Sequence, residues 1–137
     1  MTELEHKRKL RRKSTAEDFT PIPLVEEMLS KLPPDVWLDP SKSFIDPAAG
    51  NGNFLIEVLR RKLSNGHPPL QALSTIFAVE LMEDNTEEMK ERLLELIPNE
   101  LQKEGREIVD KNIICHDALK WDFINWKSLD KKSIQLF

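Results

Sequence analysis

Short apolar runs alternate along this chain with stretches in which apolar residues recur every three or four positions. The runs SFID, STIFAVE and NIICHD occupy residues 43–46, 74–80 and 112–117, and their β-branched and apolar content predicts buried strands. Helical spacing of apolar residues separates them, over residues 54–63 and 89–97. Strands that are apolar throughout and are joined by helices predict the α/β class, a doubly wound parallel sheet with flanking helices.

Helix-breaking residues bound these elements. Thr20 as N-cap and Pro21 at the first helical position predict another helix upstream, which Pro33-Pro34 would end. Asn65-Gly66 predicts the end of the helix that follows the first strand. The predicted apolar face of the upstream helix is Leu24, Val25, Met28, Leu29 and Leu32. The run SIQLF, residues 133–137, predicts the beginning of a fourth strand.

Composition adds few constraints. A length of 137 residues suits one domain with a real hydrophobic core, and 39% hydrophobic with 32% charged residues is ordinary for a globular protein. No apolar run approaches the roughly 20 residues that span a membrane. Because Cys115 is the only cysteine, an internal disulfide is excluded. We therefore expect a protein of the cytoplasm, with no membrane partner.

Basic charge is concentrated at the start of the chain. Residues 1–13 carry six bases and two acids, although the whole chain has a net charge of −4. This pattern predicts a basic, flexible arm over residues 1–18, followed by one domain over residues 19–137. The run is typical of a solvated terminus, and it also suits contact with nucleic-acid phosphates. The candidate DNA contacts are Lys7, Arg8, Lys9, Arg11, Arg12 and Lys13.

One acid follows or ends each predicted strand: Asp46, Glu80 and Asp117. Ligands of parallel sheets bind outside the carboxyl ends of the strands, so these three acids are expected at one edge. The turn after the first strand is built from small residues, which would let backbone amides approach a ligand. These residues are Ala48, Ala49, Gly50 and Gly52. The sequence predicts a small-ligand site at this edge.

Two common nucleotide motifs are excluded. In GxGxxG the third glycine packs helix against strand, but Leu55 holds that position, and Glu80 lies 30 residues after Gly50 instead of about 20. The phosphate loop GxxxxGK[ST] is absent as well. The ligand that remains has a ribose for Glu80 and a cationic or zwitterionic part near Asp46, and it need not carry phosphate.

Several residues have simpler interpretations. Asp46 could cap the helix after it, Phe19 could be a core aromatic, and Glu80 and Asp117 could be solvated acids. Cys115 is interpreted as a small buried hydrophobic residue and not as a nucleophile, because no His and Asp partners are arranged around it for catalysis. His6, His67 and His116 lack metal-ligand spacing. Packing is the favoured use of Trp37, Trp121 and Trp126 over stacking on bases.

The segment DPAAGNGNFL, from Asp46 to Leu55, resembles motif I of the S-adenosylmethionine-dependent DNA adenine-N6 methyltransferases, DPAxGxGxFL. FTP at 19–21 is similar to motif X of that family, AVEL at 78–81 to motif II and CHDAL at 115–119 to motif III. Their order is that of the gamma-type enzymes. The resemblance implies a Rossmann-like methyltransferase fold, S-adenosylmethionine as cofactor, DNA as partner, and the cytoplasm of a bacterium or phage-infected cell.

The resemblance also implies roles for single residues. Phe19, Thr20 and Pro21 would line the methionine end of the cofactor. The turn after the first strand would wrap its amino-acid part, through Asp46, Pro47, Ala48, Ala49, Gly50, Gly52, Asn53 and Phe54.

At the nucleoside end, Glu80 would accept hydrogen bonds from both ribose hydroxyls, and Asp117 from the adenine amino group. Leu81 and Ala118 would provide apolar contact to the adenine ring. Carboxylates suit these roles, since hydrogen bonds to charged acceptors are the stronger ones.

In the resembled family, methyl transfer to a flipped adenine also requires an NPPY or NPPF motif after the fourth strand. The sequence contains no such tetrapeptide. The expectation is a sheet that is incomplete, ending at its fourth strand, in the cofactor-binding part of a truncated or split DNA adenine methyltransferase that is inactive alone. The alternative is a non-catalytic S-adenosylmethionine-binding module with a regulatory or partner-binding role. Either way, an open sheet predicts a homo-oligomer or a second polypeptide that completes it.

Overall fold

The computed structural model describes residues 2–15 and 19–130. Six helices are described: α1 Glu3–Thr15, α2 Ile22–Ser30, α3 Asn53–Ser64, α4 Pro69–Ser74, α5 Glu83–Leu94 and α6 Gln102–Asn112. Five strands are described: β1 Phe44–Asp46, β2 Ile76–Glu80, β3 Ile113–Cys115, β4 Trp121–Asp122 and β5 Lys127–Ser128. Short 3₁₀ helices occur at 34–37, 99–101 and 118–120.

The first three strands form one parallel sheet in the order β1-β2-β3. Asp46 of β1 lies opposite Ala78 of β2, and Glu80 of β2 lies opposite Cys115 of β3. The protein is therefore a mixed α/β structure with a three-stranded parallel sheet flanked by helices, which confirms the predicted α/β class and the parallel sheet. The predicted strand at 133–137 lies outside the described residues.

The core forms where α3 and α5 pack against the sheet. Their apolar faces are fully buried at Leu55, Leu59 and Leu93, against Ile76 of β2. The helix predicted after β1 ends where expected, because Gly66 follows it with a positive φ of 81°. Burial of these faces explains why the apolar periodicity indicated both helices. The second prediction extended too far, since α5 ends at Leu94, before Leu96 and Ile97.

Helix α2 differs from its prediction. Pro21, not Thr20, is its N-cap, and the helix ends at Ser30, before the two prolines. Of the predicted apolar face, Val25 and Leu29 are fully buried, whereas Leu24 and Met28 are each 46% exposed. The buried face is thus narrower than the sequence pattern, because α2 packs mainly against α3.

Three helices were not predicted. Residues 3–15, interpreted from the sequence as part of an arm, form helix α1. Helix α4 is short, begins at Pro69 and ends just before β2. Helix α6 ends at Asn112, directly before β3. Gly105 lies inside α6, where a Cβ would come within 2.4 Å of Ile97 Cδ1, so the glycine permits a close helix contact.

The antiparallel hairpin β4-β5 carries an aromatic cluster that packs on the sheet. Trp126 meets Phe77 of β2 edge-on at a ring-centre distance of 5.1 Å, and Trp121 and Phe123 contact Trp126 in the same way. Trp37 stacks on Phe44. All three tryptophans therefore make packing contacts. No helix of the described residues is both long and apolar enough to cross a membrane.

Candidate ligand-binding site

The turn after β1 is tightly wound and begins with Asp46. The Asp46 side chain accepts a hydrogen bond from the Ala48 amide at 3.1 Å. Gly50 and Gly52 then adopt positive φ angles of 57° and 93°, which L-residues with a side chain rarely adopt. Gly52 is the N-cap of α3, so the interpretation of Asp46 as the cap of this helix is wrong. Its carboxylate lies inside the turn.

Glu80, at the end of β2, ties this turn to the next one. One carboxylate oxygen accepts from the Gly50 amide at 2.9 Å. The other accepts from the Met82 amide at 2.9 Å and from the Asn85 side-chain amide at 3.2 Å. Glu80 is buried, so the interpretation as a solvated acid is wrong. Charged acceptors with several donors are strongly held, and Glu80 is fixed in place.

Asp46 and Glu80 are close enough to influence each other. Burial raises the pKa of the Asp46 carboxyl, the Ala48 amide opposes this, and the negative charge of Glu80 adds to the increase. Two carboxylates at one site repel, and a cation placed between them would relieve that repulsion. The electrostatics of the turn therefore favour a positively charged ligand group beside Asp46.

Phe19 and Thr20, which precede α2, contact the turn after β1 and the start of α3. Gly50 packs so closely against Phe19 that a Cβ at this position would lie 2.9 Å from Phe19 Cδ1. The side-chain amide of Asn53 donates to the Thr20 carbonyl at 2.9 Å. These contacts join segments that are about 30 residues apart in sequence, and they place Phe19 against the turn after β1.

A cavity of about 290 Å³ opens between these segments. It is lined by Thr20, Met28, Ile45, Asp46, Ala48 and Phe54. Four of the six belong to the predicted site, which the structure thus brings together around one space. Met28 and Ile45 add an apolar wall that the sequence did not indicate.

The amides of the turn are less available than the sequence suggested. Ala48, Gly50 and Gly52 donate within the protein, to Asp46, Glu80 and the Ala49 carbonyl respectively. Helix α3, in contrast, starts without a side-chain cap. The amides of its first turn are where a ligand carboxylate could bind, since helix N-termini favour anions.

Arg92 is a functional candidate that sequence reasoning missed. From α5 it donates to the Asn51 carbonyl and to Asn53 Oδ1, both at 2.9 Å. Burial lowers the pKa of its guanidinium. Asn51 Oδ1 is itself buried and has no hydrogen-bond partner in the described chain. Nothing in the local sequence pairs Arg92 with a turn some 40 residues earlier, so only the fold reveals this contact.

The remaining predicted residues make local contacts. Asp117 caps the 3₁₀ helix that contains Ala118 by accepting from the Leu119 amide at 3.0 Å. Leu81 is 61% exposed, and Pro47 is also exposed. Cys115 is exposed, with its thiol donating to the Leu81 carbonyl, so its interpretation as a buried residue is wrong. The adenine end of the predicted site is therefore open.

A second cavity, of about 620 Å³, adjoins the β2–α5 connection. Its lining residues are Lys7, Met82, Glu83, Asp84 and Glu87. Lys7 and Lys9 are exposed on α1, while Arg8 is paired with Asp84 and Glu88 of α5. The side chains of Arg11, Arg12 and Lys13 are outside the described part of the structure.

Within residues 2–15 and 19–130, no group of three or more His, Cys, Asp or Glu side chains could hold a metal ion. No protein-family model matches the chain, and no curated protein sequence matches it significantly. Functional assignment therefore depends on the site itself.

Proposed function

We propose that this chain is the S-adenosylmethionine-binding part of a DNA adenine-N6 methyltransferase. The observation that carries the proposal is the turn from Asp46 to Gly52, hydrogen-bonded through Gly50 to Glu80 and facing a cavity lined by Thr20, Asp46, Ala48 and Phe54. This arrangement lies at the carboxyl edge of a parallel sheet, where ligands of such folds bind. It also coincides with the residues of the motif I resemblance.

The chemistry of S-adenosylmethionine fits the donors and acceptors present. Its sulfonium and ammonium groups are cations, which suit the space beside Asp46, a carboxyl whose pKa is raised by burial and, to a smaller extent, by the negative charge of Glu80. Its carboxylate suits the uncapped first turn of α3. When bound, the cofactor supplies an activated methyl group, and the protein contributes binding and orientation.

Glu80 fits its proposed role with one restriction. Three protein donors already share its two oxygens, so at most about one further strong hydrogen bond is accommodated without rearrangement. A single ribose hydroxyl is therefore proposed as its ligand contact. Asp117, Leu81 and Ala118 would complete the adenine end.

The proposal requires catalytic residues from elsewhere, since the sequence contains no Asn-Pro-Pro-aromatic tetrapeptide. In the described chain β1 is an outer strand of its sheet, and Ile45 on it is 48% exposed. Leu24 and Met28 of α2 are similarly exposed. A second copy or a second polypeptide that pairs with β1 would cover this apolar surface. Light scattering of the parent and of Ile45→Lys tests pairing between copies. The parent should associate, whereas the variant, with a charge on this surface, should be monomeric.

Calorimetric titration with S-adenosylmethionine tests the cofactor. The parent should bind it more tightly than S-adenosylhomocysteine, which lacks the sulfonium charge, and should not bind NAD or ATP. Asp46→Asn retains an acceptor for the Ala48 amide but removes the charge, so it should abolish most of this preference. Asp35→Asn, at an exposed acid, is the matched control. A parent that binds neither S-adenosyl compound would refute the proposal.

A further inference from the structure

Among the side chains that the structure describes, Arg8 joins helix α1 to the start of α5. Arg8 Nε lies 3.2 Å from Asp84 Oδ2, and Nη1 lies 2.6 Å from Glu88 Oε1. The Arg8 side chain is only 14% exposed. A guanidinium that is withdrawn from water and bound by two carboxylates is held more firmly than an exposed ion pair.

The same guanidinium reaches the ligand turn through Phe19. Its central carbon lies 5.6 Å from the centre of the Phe19 ring, within range of a cation–π contact. Phe19 in turn packs directly on Gly50. Arg8 is thus linked to the ligand turn through a single side chain.

Helix α1 also borders the larger cavity. Lys7 forms one side of this space, and Met82, Glu83, Asp84 and Glu87 form the other. The cavity begins two residues after Glu80, whose carboxylate accepts from the Met82 amide. The cavity therefore lies beside the connection that Glu80 holds in place.

We infer that α1 is the outer wall of the ligand site at its nucleoside end, and that Arg8 is the positioning residue that holds it there. This inference rests on the proposed function for the identity of the ligand. Ligand binding and docking of α1 would then stabilise each other, because both depend on the same contacts with α5 and Phe19.

The inference separates two bases that are neighbours in the sequence. If the basic run served only to contact phosphates, Arg8 and Lys9 would contribute alike, and neither would affect a small ligand. In the structure the Arg8 side chain is largely buried in its ion pairs with α5, whereas Lys9 is exposed. Lys9 is therefore the matched control for loss of one positive charge on the same helix.

The test compares Arg8→Gln and Lys9→Gln in the full chain, with S-adenosylmethionine as probe in calorimetry. We expect Arg8→Gln to weaken binding about tenfold, within the usual range of coupling between sites, and Lys9→Gln to leave it unchanged. Glu88→Gln approaches the same contact from α5. The double variant should bind no more weakly than Arg8→Gln alone, because both changes remove one interaction.

Hydrogen exchange of residues 3–15 separates this inference from the proposed function. Without ligand, Arg8→Gln should speed exchange in α1 and Lys9→Gln should not; equal exchange in the two variants would overturn the docking of α1 by Arg8. If exchange in α1 is faster in Arg8→Gln but this variant binds S-adenosylmethionine as tightly as the parent, then α1 is not part of the site. A parent that binds no S-adenosyl compound, together with faster exchange in Arg8→Gln, would refute the proposed function and retain Arg8 as the anchor of α1.

Discussion

The Gly50 amide donates to a carboxylate oxygen of Glu80 at 2.9 Å, so the turn after β1 is bound to the end of β2. The two residues are 30 positions apart. Gly50 precedes α3 and Glu80 precedes α5, the two helices that flank the site. Since the other Glu80 oxygen receives the Met82 amide, one side chain sets the relative position of both strand-end turns. The conformation of the turn after β1 therefore depends on a buried acid as much as on its glycines.

Glu80→Gln should destabilise the protein, because a side-chain amide has one acceptor oxygen where the carboxylate uses two. At least one of the three donors would be left facing an NH₂ group. A buried donor without an acceptor costs about 1–3 kcal/mol, and we expect a loss of this size in urea denaturation. Glu107→Gln, at an exposed position of α6, should change the free energy of unfolding by less than about 0.5 kcal/mol. Equal stability of both variants would contradict the proposed role of Glu80.

Gly52→Ala should be more damaging than Gly66→Ala, although both glycines have positive φ. A Cβ on Gly52 would lie 2.6 Å from Met89 Cγ, whereas a Cβ on Gly66 would meet nothing within 4 Å. Gly66→Ala should therefore cost only the backbone strain, about 1–2 kcal/mol. Gly52→Ala adds a core clash of about 1–3 kcal/mol. Thermal unfolding of both variants measures the difference.

The combination of Gly52→Ala with Met89→Ala checks the cause of that difference. Met89 is fully buried, and its truncation alone should destabilise by about 2–5 kcal/mol. If the Cβ–Met89 clash is responsible, the double variant should be more stable than the sum of the single effects predicts. Strict additivity would exclude the Met89 atoms beyond Cβ as the cause of the cost of Gly52→Ala.

The elements with strong apolar patterns could be predicted from sequence. The strands at 44–46 and 76–80 are nearly continuous apolar runs, and α3 is bounded by turn residues at both ends. Helix α6 lacks these signals, since Gly105 interrupts it and its apolar residues are few. The exposure of Leu24 and Met28 depends on which side of α2 meets α3, which periodicity does not specify.

The candidate site likewise has features that could be predicted from the sequence and features that could not. The approach of Asp46 to Glu80 follows from the parallel sheet, because carboxyl ends of adjacent strands share an edge. The internal use of Glu80 and the contact of Arg8 with Glu88, 80 positions away, depend on side-chain directions set by packing. No local pattern encodes these directions, so the sequence indicates which residues meet at the sheet edge but not which partners their side chains bind.

Asp46→Asn should stabilise the folded protein at neutral pH. The pKa of Asp46 is raised in the folded state, so the folded protein binds this proton more tightly than the unfolded chain. Stability from this group is therefore complete below the unfolded pKa of 3.8 and is lost as pH rises through the higher folded value. The advantage of Asp46→Asn should appear over that interval and persist at pH 7.

Asp122→Asn provides the control of opposite sign. Hydrogen bonds from Asn125, first from its backbone amide, lower the pKa of Asp122. Stability from Asp122 is thus present above 3.8 and is lost as pH falls through the lower folded value. In denaturation experiments Asp46→Asn should gain on the parent between pH 4 and pH 7. Asp122→Asn should lose against the parent as pH rises to 4 from about 2.5, and should then stay level up to pH 7. Parallel curves for both variants would exclude a special environment at Asp46.

Lys62→Met should relieve a buried charge near the opposite ends of the strands. Lys62 is fully buried, its ammonium donates to the Lys42 carbonyl at 2.7 Å, and burial lowers its pKa below 10.5. Below the folded pKa the cost of burying this charge is fully present, and as pH rises towards 10.5 it disappears, since only the unfolded chain still holds the proton. Parent stability relative to Lys62→Met should therefore increase between pH 7 and pH 10.5, measured by urea denaturation.

The chain contains no tyrosine to titrate in this range, and the exposed Lys103→Gln should run parallel to the parent. A constant difference between the parent and Lys62→Met would mean that the folded and unfolded chains hold this proton equally well.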